Sequence, residues 1–160
     1  MLDHVSLKVR DFERAVAFYK AALAPIGYAV AMEYPGGAGL GEPGKPDLWI
    51  AVTEQPSHPT HIAFRTSRAR VDAFHAAALA AGGTDNGAPG VRADYHPHYY
   101  AAFVRDPEGN NIEVVCHDAP GAQKPAPARA AARRPAKKVR KPPRKPARKA
   151  AKITKPKKRR

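Results

Sequence analysis

The sequence predicts an α+β fold made of two related halves in tandem, because one pattern of residues occurs twice. AVAFYKAALAPIG at 15–27 matches VDAFHAAALAAGG at 71–83. Just upstream, DHVSLKV at 3–9 matches THIAFRT at 60–66. A repeat of this length is the signature of a structural unit used more than once. We therefore expect two similar units that share one arrangement of strands and helix.

Charge and aromatic residues divide the chain into a body and a tail. The segment 119–160 holds 18 of the 28 Lys and Arg residues and no Asp or Glu. The segment 1–118 then keeps 10 basic and 14 acidic residues, a net charge of −4, together with every Phe, Tyr and Trp. A hydrophobic core needs those apolar side chains, so only 1–118 can form one. We expect halves at about 1–54 and 60–118.

The first half predicts the order strand, helix, strands. LDHVSLKV alternates as a half-buried strand does, and Asp11 is placed to cap a helix that ends at Gly27. YAVAMEY and DLWIAV then read as strands, with the turn-rich PGGAGLGEPGKP and at most a short strand between them.

The second half repeats this order. A strand is predicted over 60–66, and Ser67 begins a helix that extends to Gly82. A glycine-rich loop follows, and strands are expected over 99–105 and 111–116.

The segment RDPEGNNIEVVCH, at 105–117, contains a tight turn that directs one acid. Asp106 can accept backbone hydrogen bonds, Pro107 fixes φ, and Gly109 tolerates positive φ. A fixed turn sets the register of the next strand, which decides the face that Glu113 occupies. Glu113 is the one acid in that strand, so we expect it in a defined, functional position.

Two histidines occupy equivalent places in the repeat. His4 and His61 lie on the first strand of their halves, and Glu113 lies on the last strand of the second. Halves that pack about a pseudo-twofold axis would bring these residues together. Two imidazoles and a carboxylate suit a divalent transition metal, namely Fe(II), Mn, Ni, Co or Zn.

The segments DHVSL, HIAF and DPEGNNIEVV resemble the vicinal oxygen chelate superfamily, which includes glyoxalase I, bleomycin-resistance proteins and extradiol dioxygenases. The resemblance covers nearly all of 1–118. It implies two βαβββ modules in tandem, whose curved mixed sheets form a cleft that holds a metal. It also implies that His4, His61 and Glu113 are the metal ligands.

The resemblance to glyoxalase I fails at its fourth ligand. That position falls on DLWIAV, where Trp49 or Leu48 stands and neither can bind a metal. The set is therefore more similar to the two-histidine, one-carboxylate site of extradiol dioxygenases, although most of those enzymes carry additional modules. The resemblance implies a glyoxalase-like enzyme, a lyase or a dioxygenase, acting on a small oxygenated substrate. A second hypothesis is a non-catalytic binder of a small molecule or antibiotic, as in bleomycin resistance.

The segment YHPHYY, at 95–100, supplies candidates for proton transfer and substrate contact. His96 and Tyr100 are the candidate catalytic residues, since imidazole titrates near neutral pH. His98 and Tyr99 are candidates for contact with the substrate.

Two further residues are candidates for substrate contact. Arg65 lies on the strand face of His61 and could meet an anionic substrate, and Trp49 could line the cleft.

The tail, 119–160, is rich in Lys, Arg, Ala and Pro, and its eight prolines would interrupt a long helix. This composition predicts disorder and resembles that of linker histones and bacterial histone-like proteins. A flexible polycation binds nucleic acid by counterion release, without sequence preference. The candidate nucleic-acid-binding residues are Arg133, Arg134, Lys137, Lys138, Arg140, Lys141, Arg144, Lys145, Arg148 and Lys149.

The remaining features concern location and assembly. One cysteine, Cys116, excludes an internal disulfide and favours a reducing compartment. No apolar run approaches the ~20 residues of a transmembrane helix, and no secretion signal is recognised. We expect a cytoplasmic protein, with nucleoid association as a third hypothesis, and a homodimer is an open alternative because superfamily members often pair.

Overall fold

The computed structural model describes residues 2–122. The predicted disordered tail and its ten nucleic-acid-binding residues therefore lie outside the described residues, apart from positions 119–122.

Eight strands and two α-helices make up this part of the chain, with one short 3-10 turn at Ala24–Ile26. The elements of the first half are β1 Val5–Val9, α1 Phe12–Ala22, β2 Ala29–Tyr34, β3 Gly37–Glu42 and β4 Lys45–Val52. Those of the second half are β5 His61–Arg65, α2 Arg68–Ala80, β6 Thr84–Val91, β7 Tyr100–Arg105 and β8 Asn111–Cys116.

The two halves form two four-stranded mixed sheets with the same strand order. The first is ordered β1-β4-β3-β2 and the second β5-β8-β7-β6. In each sheet the first strand pairs in parallel with the last, and the other pairs are antiparallel. The α+β class and the two related halves predicted from the repeat are confirmed, and so are the tandem βαβββ modules that the resemblance implied.

The core lies where the helices cover the sheets and meet each other. Phe18 and Phe74, which match in the repeat, are both fully buried, and α1 packs on α2. A Cβ at Gly83 would lie 2.9 Å from Phe18 Cε2 and 2.5 Å from Val104 Cγ1. A glycine is therefore required at this close contact between the halves.

The helix starts agree with the capping signals, but α1 ends at Ala22 and α2 at Ala80, before the predicted stops at Gly27 and Gly82. Asp11 caps α1 by accepting a hydrogen bond from the Arg14 amide at 3.1 Å. Gly27, with φ of 97°, ends the 3-10 turn that follows α1. Ser67 precedes α2 as predicted, but its side chain makes no capping hydrogen bond.

The prediction of a glycine-rich loop after α2 was wrong, because β6 runs through it. β6 is an edge strand with no neighbour on its outer side. Pro89, which lacks an N–H group, is therefore tolerated in it. Its pairing with β7 shifts register near Gly87 and Gly90. The segment at 37–42 is likewise a full strand, β3, rather than a short one.

None of the helices within residues 2–122 is both long enough and apolar enough to cross a membrane.

Candidate functional site

The Glu113 carboxylate is the centre of the candidate site. β8 lies between β5 and β7, and Glu113 is opposite Ala63 on one side and Phe103 on the other. Side chains that are opposite each other share a sheet face, and so do side chains an even number of positions apart along one strand. His61 is two positions before Ala63, and Tyr99 is four before Phe103, so both lie on the face of Glu113. We call it the open face of the second sheet; the other face, with Ile112 and Val114, packs in the core.

Each oxygen of this buried carboxylate has its own partner. The Tyr99 hydroxyl donates to Glu113 Oε1 at 2.5 Å. His61 Nε2 lies 3.0 Å from Glu113 Oε2. The Glu113 side chain is only 3% exposed, whereas that of His61 is 50% exposed. The acid is therefore fixed, and its Oε2 edge is the one that an incoming group can reach beside His61.

His61 is oriented from its other ring nitrogen. Nδ1 lies 3.2 Å from the Asn111 main-chain oxygen and 2.9 Å from the Asn111 side-chain amide. In one tautomer Nε2–H donates to the carboxylate. In the other, Nδ1–H donates to the Asn111 carbonyl and leaves a lone pair on Nε2. The second tautomer is the one that a metal requires.

The donor set fits a divalent metal in type and spacing. Imidazole nitrogen and carboxylate oxygen are ordinary ligands for Zn and for redox-active divalent ions. Two ligands on neighbouring corners of a coordination sphere, each ~2.1 Å from the ion, lie ~3 Å apart. The 3.0 Å between His61 Nε2 and Glu113 Oε2 matches that separation.

Tyr99 acts as a hydrogen-bond donor at this site. Burial, followed by the hydrogen bond to the Glu113 carboxylate, raises the pKa of Tyr99 to about 12. The phenol therefore stays protonated at neutral pH and holds Oε1. Its ring also contacts His117 and Tyr95, at centroid distances of 5.0 and 5.2 Å.

His4 lies just before β1 and lines two pockets, neither of which includes His61 or Glu113. Its Nδ1 is 2.8 Å from Asp3 Oδ1, and this hydrogen bond with the imidazole lowers the pKa of Asp3. His4 lines a cavity of about 460 Å³ together with Tyr34 and Trp49, whose rings lie 6.4 Å apart. Among residues 2–122 no three His, Cys, Asp or Glu side chains come close enough to hold one metal. The structure brings His61 to Glu113, but it does not add His4 to them.

Tyr100, for which a catalytic role is predicted from the sequence, lies on the sheet face opposite to that of Glu113. It is opposite Cys116, on the face turned toward α2, where its hydroxyl donates to Asp72 at 2.7 Å. The Arg68 guanidinium lies 4.8 Å from the centre of its ring. Adjacent strand residues point to opposite faces, so Tyr99 and Tyr100 cannot both face Glu113.

The other predicted site residues lie apart from the carboxylate. The His98 amide donates to His96 Nδ1 at 3.1 Å, and their rings lie 5.6 Å apart. Arg65 shares the open face by strand alternation, but its side chain is 70% exposed and lies 3.5 Å from Asp118.

Three residues that the sequence analysis did not select belong to the site. Phe103 stacks on His61 with 6.4 Å between ring centres, and Asn111 contacts the His61 ring. Arg92 lies over the Phe103 ring, 5.5 Å from its centre. Strand geometry would have found two of them: Asn111 is two positions before Glu113 in β8, and Phe103 is the residue opposite Glu113 in β7.

The turn before β8 anchors the site to the first half. Asp106 is 5% exposed, and its oxygens accept from the Tyr19 hydroxyl at 2.6 Å and from the Glu108 and Asn110 amides at 2.9 and 2.7 Å. The Asn110 side-chain amide also donates to it at 2.8 Å. Burial and the adjacent Asp106 carboxylate raise the pKa of Tyr19. The turn residues thus tie α1 to the strand that carries Glu113.

Comparison with known proteins agrees with this architecture. The model of the glyoxalase-like domain family matches residues 4–115. The metallothiol transferase FosB of Shouchella clausii (strain KSM-K16) is 32% identical over 117 residues, which is 71% of this chain and 77% of that protein.

Solved structures show the same fold. A glyoxalase/bleomycin resistance protein from Albidiferax ferrireducens T118 is 29% identical, with a TM-score of 0.63 over 72% of this chain and 98% of that one. A glyoxalase/bleomycin resistance protein/dioxygenase family enzyme from Burkholderia phytofirmans PsJN, 23% identical with a TM-score of 0.58, covers 73% of this chain and 98% of its own, and supports the fold alone. The chain therefore belongs to the glyoxalase-like domain family.

Proposed function

We propose that this chain is a metal-dependent enzyme that acts on a small oxygenated substrate. The observation that carries the proposal is the pair formed by His61 Nε2 and Glu113 Oε2, 3.0 Å apart on a sheet face. Tyr99 and Asn111 support the proposal because they fix the far atoms of these side chains: Tyr99 holds Glu113 Oε1, and Asn111 contacts His61 Nδ1. Such outer partners orient metal ligands. Similarity to a protein named a metallothiol transferase supports the same conclusion.

A divalent metal bound here would polarise substrate oxygens and stabilise negative charge that develops on them. The chain's own residues would set the geometry of that chemistry. Tyr99 keeps its proton and holds one carboxylate oxygen, which leaves the other toward His61. Because Glu113 is buried, its charge is screened weakly and attracts a cation strongly. We propose that the reaction is that of a lyase or a dioxygenase. The similarity to FosB, which is named a transferase, makes group transfer a third candidate reaction.

We propose that His4 completes the metal site from a second copy of the chain. Within residues 2–122 of one chain, His4 does not join His61 and Glu113 in a cluster that could hold a metal. Beside it, Met32 and Tyr34 leave 53% and 50% of their surface exposed on the face that carries Trp49. A twofold dimer that sets this face against the open face of the second sheet would bury both residues and form two equivalent sites.

Co-expression of two defective variants tests this arrangement. His4→Ala lacks one ligand and Glu113→Gln lacks another, so each alone should bind metal weakly. In random mixed dimers, one site of each heterodimer would combine an intact His4 with an intact Glu113. Co-expression should therefore restore about one quarter of the wild-type metal per chain, measured by elemental analysis. A mixture that binds no more metal than its components would contradict a site shared between chains.

We propose a second role for the tail, on sequence evidence alone. Its 18 basic residues, without a balancing acid, favour contact with nucleic acid that is independent of sequence and weakens as salt rises. The residues from Arg133 to Lys149 named above would carry it. This contact would tether the enzyme and take no part in its chemistry.

A further inference from the structure

The side-chain amide of Asn111 faces His61 with its nitrogen, and a second amide sets that direction. Asn86 Nδ2 donates to Asn111 Oδ1 at 3.0 Å. Because Asn111 Oδ1 accepts this hydrogen bond, the amino group of the same amide is turned toward His61 Nδ1, 2.9 Å away. An amide nitrogen can only donate, so Nδ1 must supply a lone pair for this contact. The proton of the neutral imidazole then lies on Nε2.

The Glu113 carboxylate agrees with this placement of the proton. His61 Nε2 lies 3.0 Å from Glu113 Oε2, and the Tyr99 hydroxyl already donates to Oε1. An ionised carboxylate accepts hydrogen bonds and donates none. The hydrogen bonds therefore all run in one direction. We call the four residues that they join the relay, in the order Asn86, Asn111, His61 and Glu113.

A β-bulge places Asn86 at the start of the relay. Asp85 and Gly87 lie opposite neighbouring residues of β7, so Asn86 between them is an extra residue without a cross-strand partner. A bulge of this kind turns a side chain away from the ordinary alternation of a strand. Asp85 Oδ1 also accepts from the Gly87 amide at 3.1 Å, which closes the backbone around Asn86. The position of the Asn86 amide is thus built into the backbone path of β6.

The direction of the relay opposes the tautomer that a metal requires. A metal at His61 needs the lone pair of Nε2, so the proton must lie on Nδ1. With the amides as they stand, Nδ1–H would meet the amino group of Asn111, and two donors would face each other. Turning both amides over removes the conflict, because Asn111 Oδ1 would then accept from Nδ1–H and its nitrogen would donate to Asn86 Oδ1. The relay therefore has two self-consistent directions, one for each tautomer.

We propose that Asn86 is a positioning residue that selects the His61 tautomer through the Asn111 amide and so sets how tightly a divalent metal binds. The part of this inference that concerns metal affinity rests on the proposed function, whereas the part that concerns the tautomer does not. In the metal-free protein the relay holds the proton on Nε2. Metal binding needs the opposite direction, so the apparent affinity is reduced by the fraction of chains that already carry the proton on Nδ1.

The test follows the two ring nitrogens of His61 in the full-length, metal-free protein by ¹⁵N NMR. At about pH 8.5 ordinary imidazoles are neutral. The nitrogen that carries the proton then differs in chemical shift from the bare nitrogen, so the spectrum identifies the tautomer. The His61 signals are those that disappear in His61→Gln. We expect the proton on Nε2 in the wild-type protein.

Asn86→Asp should reverse the relay from a position two hydrogen bonds away from His61. A carboxylate at position 86 only accepts, so the Asn111 amino group turns toward it and Oδ1 turns toward His61. We expect the proton of His61 on Nδ1 in this variant. Ala88→Asp is the matched control, because Ala88 is an exposed residue of the same strand and the change adds the same charge. It should leave the proton on Nε2.

The same two variants separate an effect of the tautomer on metal binding from an effect of charge. If about a tenth of wild-type chains carry the proton on Nδ1, Asn86→Asp should bind zinc about tenfold more tightly than Ala88→Asp does. Changing a residue that merely holds a metal ligand in place lowers metal affinity. A purely structural role of Asn86 therefore predicts a loss, where the relay predicts a gain. Calorimetric titration with zinc measures the affinity.

The tautomer and the uptake of metal can fail separately. A chain whose His61 tautomer follows the residue at position 86, yet takes up no metal, would refute the proposed function and still establish that Asn86 selects the tautomer. A proton on Nδ1 in the wild-type protein, or on the same nitrogen in wild type and Asn86→Asp, would overturn the inference. A lower zinc affinity in Asn86→Asp than in Ala88→Asp would also overturn it.

Discussion

Replacing Glu113 with glutamine is expected to weaken metal binding by at least about 100-fold while leaving the fold intact. Glutamine keeps the shape of the side chain and can still meet Tyr99 and His61. It loses the negative charge, which a buried, weakly screened site needs to hold a cation. Changes to partners that merely orient a ligand cost roughly 10–100-fold in metal affinity, so the loss of a ligand charge should cost more. Calorimetric titration of the metal-free protein measures the change.

Glu33→Gln is the matched control, because Glu33 is an exposed acid on β2. It makes the same change in net charge and should bind metal as wild type does. Circular dichroism should show the same helix and strand content in both variants. Unchanged metal affinity in Glu113→Gln would remove Glu113 from the ligand set.

Replacing Asp106 with alanine is expected to lower the free energy of unfolding by about 3–5 kcal/mol. The change leaves the Tyr19 hydroxyl, the Asn110 side-chain amide and two backbone amides without their acceptor in a buried place. Buried donors without partners are costly. Urea unfolding followed by circular dichroism measures the shift in midpoint.

Asp94→Ala provides the comparison, since Asp94 is an exposed acid in the loop after β6. Its effect should stay within about 0.5 kcal/mol. Tyr19→Phe removes one donor and keeps the ring, so its loss of unfolding free energy should lie between those of Asp106→Ala and Asp94→Ala. The anchoring role of the turn would be refuted if Asp106→Ala unfolded at the same urea concentration as Asp94→Ala.

The turn and the repeat were predictable because both depend on local chemistry. Asp106, Pro107 and Gly109 each favour the same backbone path, and the turn that they form has Gly109 at φ of 89°. The repeat predicted the two similar halves, because equivalent residues such as Phe18 and Phe74 are buried in equivalent places. Agreement between local and global signals is typical of foldable sequences.

The separation of Tyr99 from Tyr100 was not predicted, because YHPHYY was treated as one functional loop. β7 begins inside that segment, at Tyr100, so strand alternation separates Tyr99 from Tyr100. The sequence contained this information, but only if the start of the strand were known to within one residue. Strand boundaries depend on pairing across the sheet, which single-sequence patterns describe poorly.

β6 and Arg92 were missed for a physical reason. Glycine and proline in TDNGAPGV are typical of loops, and their place in an edge strand depends on β7 lying beside them. The glycines also make room for the Arg92 side chain, a contact between strand residues that no periodicity reveals. His4 likewise matches His61 in the repeat. The repeat does not say whether the halves that face each other belong to one chain or to two.

The most direct test of the proposed metal site is the metal content of the full-length wild-type protein, purified without chelator and measured by elemental analysis. A metal site at His61 and Glu113 predicts nearly one divalent transition metal ion per chain, taken up again after removal when the ion is supplied. A chain that holds no metal, even after reconstitution with iron, manganese, nickel, cobalt and zinc, would contradict it. His61 and Glu113 would then be an ion pair, and binding of a small molecule without catalysis would be the better explanation of the fold.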